Sequence, residues 1–115
     1  MTEIQKVGNV FYVVDDMDAA VDYYGATLGL RLKFRDGDRW AAFDAGGTTV
    51  ALAAVEEAGG AAPGSGGVVS FRVADVEAWV EEAGVAAGHV EVGPHEKRVR
   101  LTDPAGNRFV VYSPA

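Results

Sequence analysis

The chain has 115 residues, 49% of them hydrophobic, enough for one compact domain that buries about two-thirds of its unfolded surface without disulfide or metal staples. It has no cysteine, which excludes disulfides, thiolate metal sites, iron–sulfur clusters and a cysteine nucleophile, and makes a reducing cytoplasm the expected location. A formal charge of -7 repels phosphate backbones and anionic membranes, so nucleic acid and membrane are not expected partners.

The first stretch, MTEIQKVGNVFYVVDD, has too short an apolar run for a secretory signal core, and no segment approaches the roughly 20 apolar residues that cross a bilayer. Its β-branched and aromatic part, 9–14, predicts a strand. Asp16 then stands as a helix N-cap, with Asp18 in the first turn where negative charge suits the helix dipole. Met17, Ala20, Val21, Tyr24 and Leu28 recur at helical spacing on one face, and Gly29 supplies the stop. Three strands follow at about 30–34, 39–44 and 48–54, the first two joined by the hairpin signal Asp36-Gly37.

The segment 57–67, EAGGAAPGSGG, reads as a flexible crossover with nothing to pack. Beyond it the same order returns. A strand at 68–73 leads to Asp75 as N-cap, with Glu77 in the first turn. A helix carries Val76, Trp79, Val80, Ala83 and Ala87 on one face with a stop at Gly88, and strands follow at about 89–93, 97–102 and 107–113. Sliding the chain by 59 positions (75 minus 16) lays Asp16 on Asp75, Gly25 on Gly84, Gly29 on Gly88, Arg39 on Arg98, Asp44 on Asp103 and Gly47 on Gly106 without a gap. The expected fold class is α+β: two βαβββ modules forming a curved mixed sheet, one at about 7–56 and one at 68–115, within a single domain.

Strand alternation assigns the faces. Val10, Tyr12, Val14, Val69, Phe71, Val73, Val99, Leu101, Phe109 and Val111 form an apolar set expected beneath the helices, with Trp40 and Trp79 on that same core side. The opposite set combines aromatics, hydroxyls and arginines, as a ligand-binding concavity does: Asn9, Phe11, Arg39, Phe43, Thr49, Ser70, Arg72, Arg98, Arg100, Arg108 and Tyr112. The arginines point to an anionic or planar aromatic ligand, whereas the overall acidity favours a cationic one at long range.

The tandem βαβββ pattern, DMDAAVDYYGATLGL at 16–30 and the turn and strand DPAGNRFVV at 103–111 resemble the vicinal oxygen chelate superfamily, which includes glyoxalase I, extradiol dioxygenases, fosfomycin-inactivating transferases and bleomycin-resistance proteins. The resemblance implies paired half-barrels enclosing a cleft, commonly in a homodimer. It also implies a divalent metal held from the first and last strands of each module, positions that here are Asn9, Ala51, Val68 and Val110. Three of these have no donor, and Asn9 offers only a weak carbonyl oxygen, so neither a metal nor another cofactor is expected. His89 and His95 fall outside those positions, and no nucleophile elbow, phosphate loop or zinc helix motif occurs.

The expected function is therefore metal-free binding of an aromatic or amphipathic small molecule such as an antibiotic, similar to the bleomycin-resistance branch. The alternative is a metal-independent lyase or isomerase of secondary metabolism in which Arg and Tyr polarise a carbonyl. A third reading is an accessory module with a side-chain-filled cleft that serves dimerisation.

Overall fold

A computed structural model describes residues 3–85 and 88–115. Strand β1, Val10–Val14, leads to helix α1, Met17–Asp22, whose N-cap Asp16 accepts the Ala19 amide at 3.0 Å. One wider, π-helical turn, Tyr23–Thr27, prolongs α1 before strands β2 (Arg31–Asp36), β3 (Trp40–Asp44) and β4 (Thr49–Ala54). The second module repeats this with β5 (Val69–Arg72), α2 (Val76–Ala83), β6 (Glu91–Val92), β7 (Glu96–Thr102) and β8 (Arg108–Pro114). Each module is a four-stranded mixed sheet, in the orders β1-β4-β3-β2 and β5-β8-β7-β6, and the first strand of each runs parallel to the last.

The α1 face is as its periodicity predicts: Met17, Ala20 and Tyr24 are buried, and Val21 and Leu28 pack against them. In α2, Val76 is buried and Trp79 and Val80 pack on Val99, Leu101, Phe109 and Val111; Ala87, expected on that face, lies outside the described residues. The stop of α2 is earlier than expected. Gly84, not Gly88, takes the left-handed conformation (φ 64) and donates to the Val80 carbonyl. Its repeat partner Gly25 stays helical because the π-helical turn carries the first helix on to Gly29 (φ 81). That extension places Tyr23 and Tyr24 against Phe109 of the second module, with ring centroids 6.1 and 6.3 Å away.

The modules are locked together by a buried polar hub. Asp103, 5% exposed, accepts four hydrogen bonds: Ala105 N (2.9 Å) and Asn107 N (2.8 Å) at Oδ1, and Tyr24 Oη (2.8 Å) and Asn107 Nδ2 (3.0 Å) at Oδ2. Asn107 also donates to the Val13 carbonyl at 2.9 Å and accepts the Gly64 amide at 2.8 Å, tying β1 and the crossover to the turn before β8. Tyr12 adds a second tie, donating to the Arg108 carbonyl at 2.7 Å and accepting the Val69 amide at 2.8 Å. Every donor in this network has a partner, which makes burial of a carboxylate tolerable.

Burial raises the pKa of the Tyr24 hydroxyl above its ordinary value, and the Asp103 charge pushes it further; burial and then Asp103 act likewise on Tyr23. Unfolded tyrosine ionises near pH 10. A folded-state pKa above that contributes stability present in full below about pH 10, lost as the pH climbs toward the folded value at up to about 1.4 kcal/mol per pH unit for Tyr24. Urea midpoints should hold steady to about pH 9.5 and then fall, less steeply for Tyr24→Phe. Parallel curves for the two proteins would refute this coupling.

The ungapped repeat fails at one place, with consequences for the faces. In module 1 the turn closes with Ala45 N donating to Thr48 O; in module 2 Asp103 N donates to Asn107 O, one residue farther on. Strands β4 and β8 keep the offset of 59 (110 minus 51), whereas β3 and β7 correspond at 58 (99 minus 41). The third strand of module 1 is therefore turned over relative to the sequence-based assignment. Phe43, expected on the open face, is fully buried on the helix side together with Ala41, and packs on Tyr24 at 6.2 Å. Trp40, expected in the core, stands on the open face against Phe11, with ring centroids 5.6 Å apart.

Candidate functional site

The faces of the two sheets that point away from the helices have different chemistry. In module 1, register aligns Phe11, Ala51 and Ala42 in one row and Val13, Ala53 and Trp40 in the next, with Phe34 beside Ala42. The alanines and Val13 form a closed floor, and Phe11 and Phe34 rise from it, 44% and 58% exposed. Toward the Thr49 end the face turns polar: Lys33 donates to Thr49 Oγ1 at 2.6 Å and Arg31 pairs with Asp44 at 3.2 Å.

Module 2 carries the cations. Arg72, Tyr112, Arg98 and Glu91 lie in one row across β5, β8, β7 and β6, the next row is Ser70, Val110 and Arg100, and Arg108 faces Thr102 beyond it. Val99, Leu101, Phe109 and Val111 alternate with these residues and are buried beneath them. Arg100 grips Glu91 with both ends of its guanidinium, at 2.8 and 3.3 Å, which holds the Glu91 carboxyl below its ordinary pKa. Among the described residues, Arg72, Arg98 and Arg108 make no ion pair.

The structure thus brings together Ser70, Arg72, Arg98, Arg100, Arg108 and Tyr112 on one face, and Phe11 and Thr49 on the other. Asn9 precedes β1 and is exposed. Arg39 does not join them: it precedes β3 and is held at 2.9 Å by Glu57 and at 4.0 Å by Asp36. Sequence reasoning missed Trp40, Ala42 and Phe34. Alternation counted from Trp40 instead of Arg39, with a one-residue gap in the Asp44–Gly47 turn, would have found the first two. Phe34 follows a register shift between Leu32 and Phe34 that alternation cannot show.

The positions that would hold a divalent metal do not fit one. Ala51, Val68 and Val110 lack donor atoms, and among the described residues no three His, Cys, Asp or Glu side chains cluster as a metal site. A cavity of about 660 Å³ lies elsewhere, at the junction of the modules, where Leu28, Leu30, Val50, Phe71 and Trp79 line a groove. Ser70 and Arg72, at the edge strand of module 2, border both groove and cationic face.

Residues 6–111 match the Glyoxalase/Bleomycin resistance protein/Dioxygenase superfamily. The chain belongs to this superfamily. A glyoxalase-superfamily assignment agrees with the resemblance read from the repeat, and the tandem βαβββ architecture is the one its solved members share. An uncharacterised protein of Mycolicibacterium smegmatis is 38% identical over 113 residues, covering 95% of this chain and 94% of that protein. TnmS3, an antibiotic-binding protein from Streptomyces sp. CB03234, superposes with a TM-score of 0.78 at 27% identity, covering 100% of each chain. The lactoylglutathione lyase of Agrobacterium tumefaciens superposes equally well, at 0.78, with 22% identity over 97% of this chain and 96% of the lyase, which is likeness of fold alone.

Proposed function

We propose that this glyoxalase-superfamily protein is a metal-free binder of an aromatic or amphipathic small molecule such as an antibiotic. The carrying observation is that Ala51, Val68 and Val110, which have no donor atoms, stand where the resemblance implies metal ligands, on faces that otherwise present aromatics and arginines. Sequestration needs a shaped, mixed surface and no reacting group. The likeness to an antibiotic-binding protein over the whole chain supports the same reading. Phe11, Phe34 and Val68, 44%, 58% and 58% exposed, would be covered if a homodimer enclosed the faces. A cytoplasmic location suits the absence of cysteine, and among the described residues no helix is long and apolar enough to cross a membrane.

The test is calorimetric titration with aromatic natural products (quinoxalines, enediynes, glycopeptides) before and after exhaustive dialysis against chelator. Binding that is stoichiometric and indifferent to chelation is expected. Zinc, nickel, iron or manganese retained at one per chain after dialysis would refute the metal-free assignment. Tyr112 between Arg72 and Arg98 also supports the second reading, a metal-independent lyase or isomerase with these groups polarising a carbonyl. Chelator-insensitive turnover of a bound compound would select that reading over sequestration.

A further inference from the structure

The two open faces differ in charge, and the second carries a charge opposite to that of the protein. Arg72, Arg98, Arg100 and Arg108 share it with the carboxylates Glu91 and Glu96, a local balance of +2 (four minus two) on a chain whose formal charge is -7. The only ion pair among these groups, Arg100 with Glu91, removes one cation and one anion together. Arg98 lies directly opposite Glu91 in the ladder and makes no ion pair with it. Arg72 and Arg98 flank Tyr112 from the two neighbouring strands, so their backbones stand about 10 Å apart, two strand spacings, with the phenol ring between them. Tyr112 and Val110 are half-buried and give this row a flat, partly apolar floor. Guanidinium groups bind carboxylate or sulfonate through paired donors and stack on aromatic faces, so one planar anion can satisfy both tendencies here.

We propose that the open face of the second module is an anion subsite, in which Arg72 and Arg98, with Arg108 behind them, hold the carboxylate or sulfonate of an aromatic ligand lying over Tyr112. This rests on the small-molecule-binding reading and adds a ligand class to it. The apolar floor of the first module, with Phe11, Trp40 and Phe34, suits the uncharged remainder of such a ligand. The acidity of the rest of the surface slows an anion's approach but does not reverse contacts made at hydrogen-bond distance.

The intact protein would be titrated with two fluorescent probes of nearly equal shape, 8-anilinonaphthalene-1-sulfonate and the uncharged N-phenyl-1-naphthylamine, at low and high sodium chloride. The anion should bind about tenfold more tightly at low salt, with the preference shrinking as salt rises. Arg72→Gln and Arg98→Gln should each weaken the anion about tenfold and leave the neutral probe within about twofold. Arg100→Gln, whose guanidinium is already engaged by Glu91, should do markedly less. All three positions are on the sheet surface, and far-UV circular dichroism would verify folding. Equal binding of both probes, unchanged by the substitutions, would overturn the anion subsite while leaving small-molecule binding standing. Binding of neither probe would overturn both. Loss of both probes together with a shift from dimer to monomer in Arg98→Gln would assign the face to contact between copies and also overturn the proposal.

Discussion

Replacing Asp103 with alanine should destabilise the protein by about 4 kcal/mol and lower the melting midpoint by about 15 °C. The size follows from what is left behind. Four donors lose their acceptor at once: the Tyr24 hydroxyl, the Asn107 amide side chain and the backbone amides of Ala105 and Asn107. Each buried polar group left unsatisfied costs about 1–3 kcal/mol, reduced here by whatever water enters the space. Asp44, the residue that the 59-position repeat lays on Asp103, provides the control. Its carboxylate is one-third exposed and accepts two long hydrogen bonds, from the Arg31 guanidinium and from the Gly47 amide, each at 3.2 Å. Asp44→Ala should leave the urea midpoint nearly unchanged. Equal losses for the two alanine variants would show that the hub does not hold the modules together.

That contrast marks how far the sequence could be read. The duplicated order of elements, the Asp16 and Asp75 caps and the helix faces follow from local chemistry: side-chain capping, a 3.6-residue period and β-branched runs. So does the arginine face, because buried and more exposed positions alternate along all seven residues of β8 and along β7 from Arg98 to Thr102. What could not be read is whatever depends on one residue more or less. The turn between β3 and β4 is one residue shorter than its counterpart, and Asp44 and Gly47 match Asp103 and Gly106 in letter, so the shift is invisible to an ungapped comparison. Since strand alternation has a period of two, a one-residue error turns a strand over. The π-helical turn at Tyr23–Thr27 was equally hidden, because a repeat comparison equates Gly25 with Gly84 and only the second ends a helix. Nothing in the spelling of Tyr24 and Asp103, 79 residues apart, announces that they share a buried hydrogen bond.

The turned-over strand yields the second large prediction. Phe43 is fully buried beneath α1, with Tyr24 on one side and Gly25 placed so that an added Cβ would meet its ring at 3.6 Å. Phe43→Ala should destabilise the protein by about 4 kcal/mol, the transfer term plus a cavity that close-packed neighbours cannot fill. Phe43→Leu should lose less, stay folded, and leave affinity for an aromatic ligand within about twofold, since position 43 contributes nothing to the open face. Trp40 should behave in the opposite way. It is half-buried against Phe11, so Trp40→Ala should take about 1–2 kcal/mol from stability yet weaken an aromatic ligand about tenfold by removing one of the large rings of the first module's face. Urea denaturation and a binding titration on the same three variants separate the two roles. If Phe43→Leu abolished binding while Trp40→Ala left it intact, the strand would be facing the way the ungapped repeat implies, and the open face would have to be redrawn around Phe43.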